Sequence, residues 1–334
     1  MGPACLLESP AALDRARILD GLLAPDPGPL FRAADAVRLR VKGSGVFLRG
    51  IIEFSSHCVR NCLYCGLRRA NTRAARYRLD PDTVVRLAVG IAARGIGTVV
   101  LQSGDDLDYP AAEIARMVRG IKRRADMAVV LSVGEREPRE YALWREAGVD
   151  RYLMKHETSD PRLYALLHPG RTLAQRLSAL RTLKSLDYEI GTGFIVGLPG
   201  QTPEILAEDV LLARELGADM CGVGPFVPQS RTPLAKEPPG SPERTLRVVA
   251  LLRLASPGLN LPATTALATL DPVAGQTRAL RAGANVIMPS FTPTEARAKY
   301  RIYDNKADVD LAAALDAATA AGRCVVRDGK VRIG

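Results

Sequence analysis

The spacing of hydrophobic residues along the chain changes near residue 46. Before that point, over residues 11–41, apolar positions recur at roughly helical spacing, and a Pro-rich PDPGP stretch interrupts them. After it, short β-branched or apolar runs alternate with longer amphipathic segments. The pattern therefore predicts a helical N-terminal extension over residues 1–45, followed by alternating strands and helices.

Eight of the apolar runs are predicted strands. They cover residues 46–55, 97–104, 127–134, 151–158, 189–199, 220–228, 260–268 and 285–291. The helical segments between them cover residues 80–95, 110–125, 137–148, 172–186, 202–217 and 241–255. Eight such repeats over about 245 residues match the size of a (β/α)8 barrel.

We therefore predict an α/β fold with one (β/α)8 TIM barrel over residues 46–310. A C-terminal helix and tail would follow over residues 311–334. Two separate doubly wound domains are the alternative, although no low-complexity linker divides the sequence.

The composition is that of an ordinary soluble enzyme, because 47% of residues are hydrophobic and 25% are charged. The N-terminus lacks the basic stretch and long apolar run of a signal peptide. No uninterrupted apolar run approaches eighteen residues, so we predict no membrane span. We expect a cytoplasmic protein.

The net charge of +10 raises the question of a polyanionic partner. A nucleic-acid site needs a concentrated basic patch with aromatic platforms. Here the arginines are spread along the helical segments, and aromatic residues make up only 5% of the chain. We predict a solvated basic surface and no nucleic-acid partner, with an anionic substrate or protein partner as a contributing reason.

Half of the six cysteines lie together, in the stretch HCVRNCLYCGLRR. Cys58, Cys62 and Cys65 directly follow the first predicted strand, at the end of a barrel where active groups are found. The other cysteines, Cys5, Cys221 and Cys324, are isolated. Since a cytosolic context disfavours disulfides, the group of three is a metal or redox candidate.

The spacing of these cysteines favours an iron–sulfur cluster over zinc. A structural zinc site wants four ligands, usually in two pairs, and the chain has one pair, Cys62 and Cys65. A cubane 4Fe-4S cluster has four irons, so three thiolates leave one iron open for chemistry.

The C-x3-C-x2-C spacing resembles the radical S-adenosylmethionine superfamily. The resemblance implies that the amino and carboxylate groups of S-adenosylmethionine chelate the open iron. One electron from the cluster then cleaves it to methionine and a 5′-deoxyadenosyl radical. Tyr64, just before the last cysteine, also fits the family pattern.

The fourth predicted strand carries two charged candidates. Period-two alternation places Leu153, Lys155 and Glu157 on one face. Charges inside a barrel rim are costly without a partner, so we expect Lys155 and Glu157 to face a ligand. A rim salt bridge between them is the alternative. Arg176, early in the next helix, is a candidate for the carboxylate of S-adenosylmethionine.

Three further segments carry cofactor or substrate candidates. Ser103 and Asp105, in LQSGDD, stand where the superfamily meets the methionyl amino group, against a simple turn as the alternative. Gly197, in GTGFIVGLPGQT, resembles the adenine-flanking fifth strand of the superfamily. Thr264 and Thr265, in PATTAL, offer adjacent hydroxyls for an anionic ligand, although β-propensity alone also favours Thr there.

Several segments together closely resemble the HydE family of FeFe-hydrogenase maturases, over about residues 45–305. They are EFSSHCVRNCLYCGLRRAN, LQSGDD, YLMKHET, GLPGQT, GVGPFVP, LPATTAL and GANVIMPSFTP. The resemblance implies a radical enzyme that helps to build the hydrogenase active site. Its substrate would be a cysteine-bound iron carbonyl and cyanide precursor made by a partner maturase, whose sulfur the adenosyl radical attacks.

The resemblance also assigns residues and partners. Glu157 and Arg176 match positions that hold S-adenosylmethionine. The substrate cavity would be lined by Gln102, Ser103, Lys155, Thr264, Thr265, Met288, Tyr300 and Tyr303, although spacing alone favours simple packing for the two tyrosines. The implied partners are an electron donor such as ferredoxin or flavodoxin and other hydrogenase maturases.

Two features depart from the family pattern. Lys155 stands where the family pattern leads us to expect Arg. Lysine keeps the positive charge but lacks the two parallel donors of a guanidinium. Only Cys324 stands where the family often carries cysteines for an accessory cluster, so we predict a single cluster.

Two other functions remain as alternatives to a HydE-type maturase. One is a barrel of the methylornithine synthase or biotin synthase type, and the other is a non-catalytic metal protein that binds nucleic acid or a partner.

Overall fold

The computed structural model describes residues 13–326. The strands in this part of the chain are β1 (Gly45–Leu48), β2 (Gly50–Ser55), β3 (Thr98–Ser103), β4 (Ala128–Ser132), β5 (Arg151–Leu153), β6 (Glu189–Val196), β7 (Met220–Pro225), β8 (Val286–Ile287) and β9 (Cys324–Val326). The helices are α1 (Arg15–Leu23), α2 (Gly28–Lys42), α3 (Pro81–Ala92), α4 (Ala111–Lys122), α5 (Pro138–Glu146), α6 (Pro161–Leu167), α7 (Leu173–Ser185), α8 (Pro203–Glu215), α9 (Pro242–Ala255), α10 (Thr265–Leu270), α11 (Gly275–Arg281), α12 (Thr294–Arg297) and α13 (Leu311–Ala320).

The strands close into a barrel. Strands β2 to β7 form a parallel sheet in sequence order, and β8 pairs with β1 in a second sheet. Parallel bridges that complete the ring join Met220 to Asn260, Pro262 to Val286, and Ser290 to Ile51. The predicted TIM barrel is therefore confirmed, with its seventh and eighth strand positions reduced to short contacts.

Side-chain chemistry explains where the outer helices start. Most begin at an oxygen-bearing residue whose side chain accepts a hydrogen bond from the first turn, often with Pro directly after it. Such caps are Asp80, Asp160, Thr172, Thr202 and Ser241. These helices start in the loops at the carboxyl ends of the strands, so each cap also fixes where a loop of the barrel mouth ends.

The first predicted strand, over residues 46–55, is divided in the structure. β1 pairs with β8 and also with β9, whereas β2 pairs with β3. The division falls at Arg49, next to Gly50, where a side chain would meet Ile91 of α3 at 2.8 Å. Close packing of α3 on the backbone at Gly50 accompanies the break between β1 and β2. The sequence pattern did not predict β9.

The seventh predicted strand, over residues 260–268, is wrong in its second half. Strand-like pairing is limited to Asn260 and Pro262, and α10 begins at Thr265. Thr264 has extended backbone angles and occupies the N-cap. Thr, Ala and Leu favour a short helix once such a cap is in place, despite the β-propensity of Thr.

The N-terminal helices pack on the outside of the barrel. Arg15 Nε lies 2.8 Å from Glu208 Oε1 of α8, and Arg247 of α9 donates to Ala24 O at 2.5 Å. The division into an extension, a barrel and a C-terminal segment stays a prediction, and its parts over 1–12 and 327–334 lie outside the described residues. In residues 13–326, no helix is both long enough and apolar enough to cross a membrane.

Candidate functional site

The cysteine loop follows β2 at the carboxyl end of the barrel. One guanidinium, that of Arg76, organises it from below by donating to the carbonyl oxygens of Ser56 (2.5 Å), Leu67 (3.0 Å), Arg68 (3.0 Å) and Asn71 (3.4 Å). Gly104, after β3, lies against the loop so closely that a side chain would overlap His57 O. These contacts fix the backbone of the cysteine loop at the carboxyl end of the barrel.

The three thiols share one partly buried environment. Burial and the neighbouring Cys65 and Cys58 raise the pKa of Cys62 well above its ordinary value. Burial and Cys58 raise the pKa of Cys65 to about 12, and burial and Asp105 raise that of Cys58. Within residues 13–326, no three His, Cys, Asp or Glu side chains have the geometry of a site for one metal ion. Three thiols of one loop that raise one another's pKa would suit a larger cluster, whose positive irons would stabilise the thiolates.

Tyr64 lies beside the cysteines and is held by a histidine. Its hydroxyl is 2.8 Å from His168 Nε2, and the two rings meet edge to face. The other ring nitrogen, Nδ1, lies 2.8 Å from Tyr164 O, an acceptor, so Nδ1 carries the proton and Nε2 accepts from Tyr64. His168 also stacks on the Tyr164 ring at 4.1 Å. The orientation of the Tyr64 ring is therefore set by α6, an element absent from the sequence prediction.

Charged side chains from four segments meet next to the loop. We call Arg60, Asp105, Glu135, Arg171 and Arg176 the charged rim. Glu135, after β4, accepts from Arg176 Nε at 2.6 Å and from Arg171, and Arg60 Nε lies 2.5 Å from Asp105 Oδ2. Burial alone would raise the pKa of Glu135, but Arg176, Arg171 and Arg60 lower it. The rim carries three cations and two anions, which leaves a surplus positive charge beside the thiols.

A glycine makes this arrangement possible. Gly134 has φ 77°, and a side chain there would overlap the carboxylate of Asp105. Without a Cβ, the backbone of the β4 end can approach Asp105, so that Glu135 N donates to Asp105 Oδ2 at 3.3 Å. The two acids of the charged rim are thereby locked to adjacent strand ends.

The residues after β5 alternate as predicted. Tyr152, Met154 and His156 are buried, whereas Lys155 and Glu157 are half-buried at the mouth. Lys155 Nζ lies 3.1 Å from Glu157 Oε2, which is the rim ion pair that the sequence left open as an alternative. Lys155 O accepts from Arg176 Nη1 at 2.7 Å, so these candidates are brought together.

Glu157 is held in a strained backbone conformation. Its φ is 66°, a left-handed value that costs a non-glycine residue about 1 kcal/mol or more. Pairing with β6 maintains it, because Glu157 N donates to Gly193 O at 3.0 Å and Ile195 N donates to Glu157 O at 3.1 Å. Burial would raise the pKa of Glu157, but Lys155, His168 and Arg176 lower it. A half-buried carboxylate that is kept charged, on a residue in a strained backbone conformation, is typical of a ligand site.

Deeper in the barrel, a second group of polar residues lines the lumen. We call Glu53, Gln102, Thr264, Tyr300 and Lys306 the inner wall. Lys306 Nζ lies 2.5 Å from Glu53 Oε1 and 5.2 Å from the centre of the Tyr300 ring. Gln102 Nε2 donates to the Tyr300 hydroxyl at 3.3 Å. Gln102 and Tyr300 are therefore joined by a hydrogen bond, while the substrate cavity stays a prediction.

Thr264 differs from the rest of the inner wall. Its Oγ1 is buried and has no hydrogen-bond partner among the described residues. Thr264 packs closely on Gly224 of β7, where a side chain would meet that oxygen at 3.0 Å. A buried hydroxyl without a partner is costly, and a polar ligand would relieve that cost.

The remaining candidates lie around this lumen without forming one cluster. Ser103 donates to Gly104 O at 2.6 Å, and Gly197, at φ 86°, packs on Gly240 and donates to Gln201. Thr265 starts α10, and Met288 directly follows β8 and is half-buried. Burial raises the pKa of Tyr303, which contacts Thr269. The positive φ and the close packing on Gly240 both require glycine at position 197, and its place beside the cofactor stays a prediction.

Sequence analysis did not assign six residues of the site, which are Glu53, Arg60, Glu135, His168, Arg171 and Lys306. The available signal for His168 was the Asp160-Pro161 helix start, which predicts α6. For Glu53, the signal was its place in an apolar strand where alternation directs it into the barrel, opposite Ile52 and Phe54.

Comparison with known proteins agrees with this geometry. Residues 52–213 match the Radical SAM superfamily model. The chain is 48% identical to the FeFe-hydrogenase maturase subunit HydE of Thermotoga maritima over 280 residues, covering 83% of this chain and 79% of that protein. It is 29% identical to a 3-methylornithine synthase of Methanosarcina acetivorans, covering 81% and 77%.

A solved structure shows the same architecture. The crystal structure of methylornithine synthase (PylB) superposes with a TM-score of 0.84 at 25% identity, covering 97% of this chain and 96% of that one. The radical S-adenosylmethionine family implies a 4Fe-4S cluster and S-adenosylmethionine, and Cys58, Cys62 and Cys65 are in place for the cluster. The predicted resemblance and the prediction of an enzyme are confirmed: the chain is a radical S-adenosylmethionine enzyme and belongs to the HydE family of FeFe-hydrogenase maturases.

Proposed function

We propose that this protein takes part in assembly of the FeFe-hydrogenase active site. Its substrate is a cysteine-bound iron carbonyl and cyanide precursor, at whose sulfur the radical reaction takes place. The observation that carries the proposal is the loop with Cys58, Cys62 and Cys65, whose Arg60 pairs with Asp105 of the charged rim, in a chain 48% identical to a HydE maturase.

The protein residues prepare the site for both cofactors. When bound, the 4Fe-4S cluster and S-adenosylmethionine supply a 5′-deoxyadenosyl radical. Cys58, Cys62 and Cys65 hold three irons and leave the fourth open. Arg176 lies in the charged rim with its surplus positive charge, which suits a carboxylate, and Glu157 suits an amino or ribose group. Tyr64, Ser103, Asp105 and Gly197 complete the proposed cofactor contacts.

The inner wall receives the substrate. The proposed substrate contacts are Gln102, Thr264 and Tyr300 of the inner wall, together with Lys155, Thr265, Met288 and Tyr303. Lys155, Thr264 and Gln102 offer a cation, an unpartnered hydroxyl and an amide, which match carbonyl, cyanide and carboxylate groups of the precursor. The partners are an external electron donor and the maturase that supplies the precursor.

The cluster assignment is tested by iron content and spectroscopy. After anoxic reconstitution, the wild-type chain is expected to hold about four irons and to give a reduced EPR signal that changes when S-adenosylmethionine is added. Cys62→Ser is expected to lose both. Cys324→Ser, which removes an exposed thiol outside the loop, is the matched control and keeps both. A Cys62→Ser variant that still cleaves S-adenosylmethionine contradicts the assignment.

A methylornithine synthase activity is the second candidate, because that structure covers 97% of this chain. Incubating the loaded enzyme with S-adenosylmethionine and either lysine or an iron–cysteine carbonyl cyanide complex separates the two. Conversion of the iron complex, with 5′-deoxyadenosine attached to or released from its sulfur, supports the maturase. Conversion of lysine to methylornithine overturns it. Neighbouring genes for other hydrogenase maturases would give independent support.

A further inference from the structure

The segment that wraps the cysteines is unusual in charge. From residue 54 to residue 79 it contains six arginines and no Asp or Glu. Four of the six point back into the protein or pair there: Arg60, Arg68, Arg76 and Arg78. The other two, Arg69 and Arg73, are exposed.

Two more arginines from distant segments join them. Arg231 Nη1 donates to Arg73 O at 3.0 Å. Arg301 lies against the cysteine loop at Gly66, where a side chain would overlap Arg301 O. Both are exposed. We call Arg69, Arg73, Arg231 and Arg301 the arginine surface. The sequence suggested arginines spread along helices, and the fold gathers these four at the cysteine loop.

The charge of this surface is not neutralised by the protein. Within residues 13–326, none of the four guanidinium groups lies within salt-bridge distance of a carboxylate. Asp304, the acid nearest along the chain, is occupied by Gln229 and by the backbone and hydroxyl of Ser230. A cationic surface without internal partners attracts acidic partners from solution.

The arginine surface is also joined to the cysteine loop through the backbone. Arg69 N donates to Arg60 O at 2.7 Å, and Arg60 stands between Cys58 and Cys62. Val59, beside it, is an exposed apolar residue. A protein that docks here would meet the exposed Val59 and the arginine surface, on the segment that carries the cysteines.

We propose that the arginine surface is the docking site for a small acidic protein that delivers one electron per turnover to the cluster. This rests on the proposed function, because reductive cleavage of S-adenosylmethionine consumes one electron that must come from outside the chain. The donor is oxidised by one electron, and the sulfonium receives it through the cluster. A small chemical reductant needs no such surface.

The test uses the reconstituted full chain with two reductants. The variant is Arg69→Glu/Arg73→Glu/Arg231→Glu, and the control is Arg40→Glu/Arg124→Glu/Arg181→Glu, which changes net charge equally at exposed arginines elsewhere. With reduced flavodoxin at low salt, 5′-deoxyadenosine formation by the variant is expected to fall at least about tenfold, and the difference narrows as salt rises. With dithionite, the variant, control and wild type should agree within about twofold.

A direct binding measurement separates this inference from the proposed function. Oxidised flavodoxin titrated onto the wild-type chain should bind in a salt-dependent way, and the variant should lose that binding while the control keeps it. An unchanged variant, or an equal loss in the control, overturns the docking site. Single-stranded RNA that competes at equal affinity also overturns it. Failure of the wild type to cleave S-adenosylmethionine with dithionite overturns the proposed function, and the titration still decides the docking site.

Discussion

The charged rim and the inner wall face the same barrel mouth but are built differently. In the charged rim, Glu135 ties Arg171 and Arg176 together, so each group is held by the protein itself. In the inner wall, only Glu53 and Lys306 are paired in this way, and Thr264 Oγ1 has no partner among the described residues. A preformed network suits a cofactor that binds in every turnover, whereas an unpartnered hydroxyl gains its hydrogen bond only when the substrate binds.

Removing Glu135 is the strongest way to break the charged rim. Glu135→Gln leaves Arg60, Arg171 and Arg176 facing one another without their shared carboxylate. We expect the free energy of unfolding to fall by about 3–5 kcal/mol, measured by urea denaturation of the unloaded chain. Glu189→Gln, which breaks the more exposed pair with Arg151, is the control and should cost less than about 1 kcal/mol. Equal losses would contradict a central role for Glu135.

Lys306→Met tests the one ion pair of the inner wall. The substitution leaves Glu53 buried without a cation, and we expect the free energy of unfolding at pH 7 to fall by about 3 kcal/mol. The fall is smaller than for Glu135→Gln because Ser290 and Thr292 still donate to the Glu53 carboxylate. Glu53→Gln/Lys306→Met should recover most of the loss. A double variant as unstable as the single one would contradict this reading.

The pH dependence of the same variant has a defined sign. In the wild type, burial would raise the pKa of Glu53, but Lys306 lowers it. The charged Glu53 carboxylate therefore stabilises the fold above its pKa in the unfolded chain, and this contribution is lost as pH falls through its pKa in the folded chain. Without Lys306, burial raises that pKa, and the penalty disappears once Glu53 is protonated. The stability gap between Lys306→Met and wild type should therefore narrow from pH 7 towards about pH 4. A constant gap would contradict it.

His168→Phe tests how the hydrogen bond between Tyr64 and His168, next to the charged rim, affects cofactor binding. The substitution keeps a ring on Tyr164 and removes the acceptor for the Tyr64 hydroxyl. We expect about 1 kcal/mol less stability and an apparent affinity for S-adenosylmethionine about fivefold weaker, with kcat nearly unchanged. Tyr64→Phe should reproduce the affinity change, and the double variant should add little to it. Additive losses would show that the two residues act separately.

Thr264→Val gives the smallest effect on stability and the clearest contrast between the two groups. Since the hydroxyl has no partner, its loss should change the free energy of unfolding by less than about 1 kcal/mol, and in the stabilising direction. Product formation from the iron complex should nevertheless fall, while cleavage of S-adenosylmethionine without substrate is retained. Thr245→Val, whose buried hydroxyl donates to Ser241 O at the start of α9, is the matched control. Loss of stability in Thr264→Val would indicate a hidden structural partner.

The barrel and its cysteine loop were predictable because they are local patterns. Apolar runs and helix caps mark the strands and helices, and three cysteines after the first strand need no distant information. The second half of the run at 260–268 was wrong because Thr favours both strands and N-caps, and only tertiary contacts decide between them.

The interior of the site was less predictable, for a physical reason. Glu135 matters because Arg60, Arg171 and Arg176 approach it from other segments, and Lys306 matters because it reaches Glu53 across 253 positions of sequence. Each of these side chains alone reads as an ordinary surface charge. These side chains come into contact only when the barrel closes, so no spacing rule along the chain predicts their pairing.

The contact between Gly66 and the segment after β8 has a consequence for biogenesis. Gly66 N, one residue beyond Cys65, donates to Ile302 O at 2.8 Å. During synthesis the cysteines leave the ribosome long before residue 302 exists, so the loop cannot take its final shape at that time. Cluster insertion into the finished geometry therefore waits for release of nearly the whole chain, and a nascent chain stopped before residue 300 would expose three uncommitted thiols to adventitious metal and oxygen.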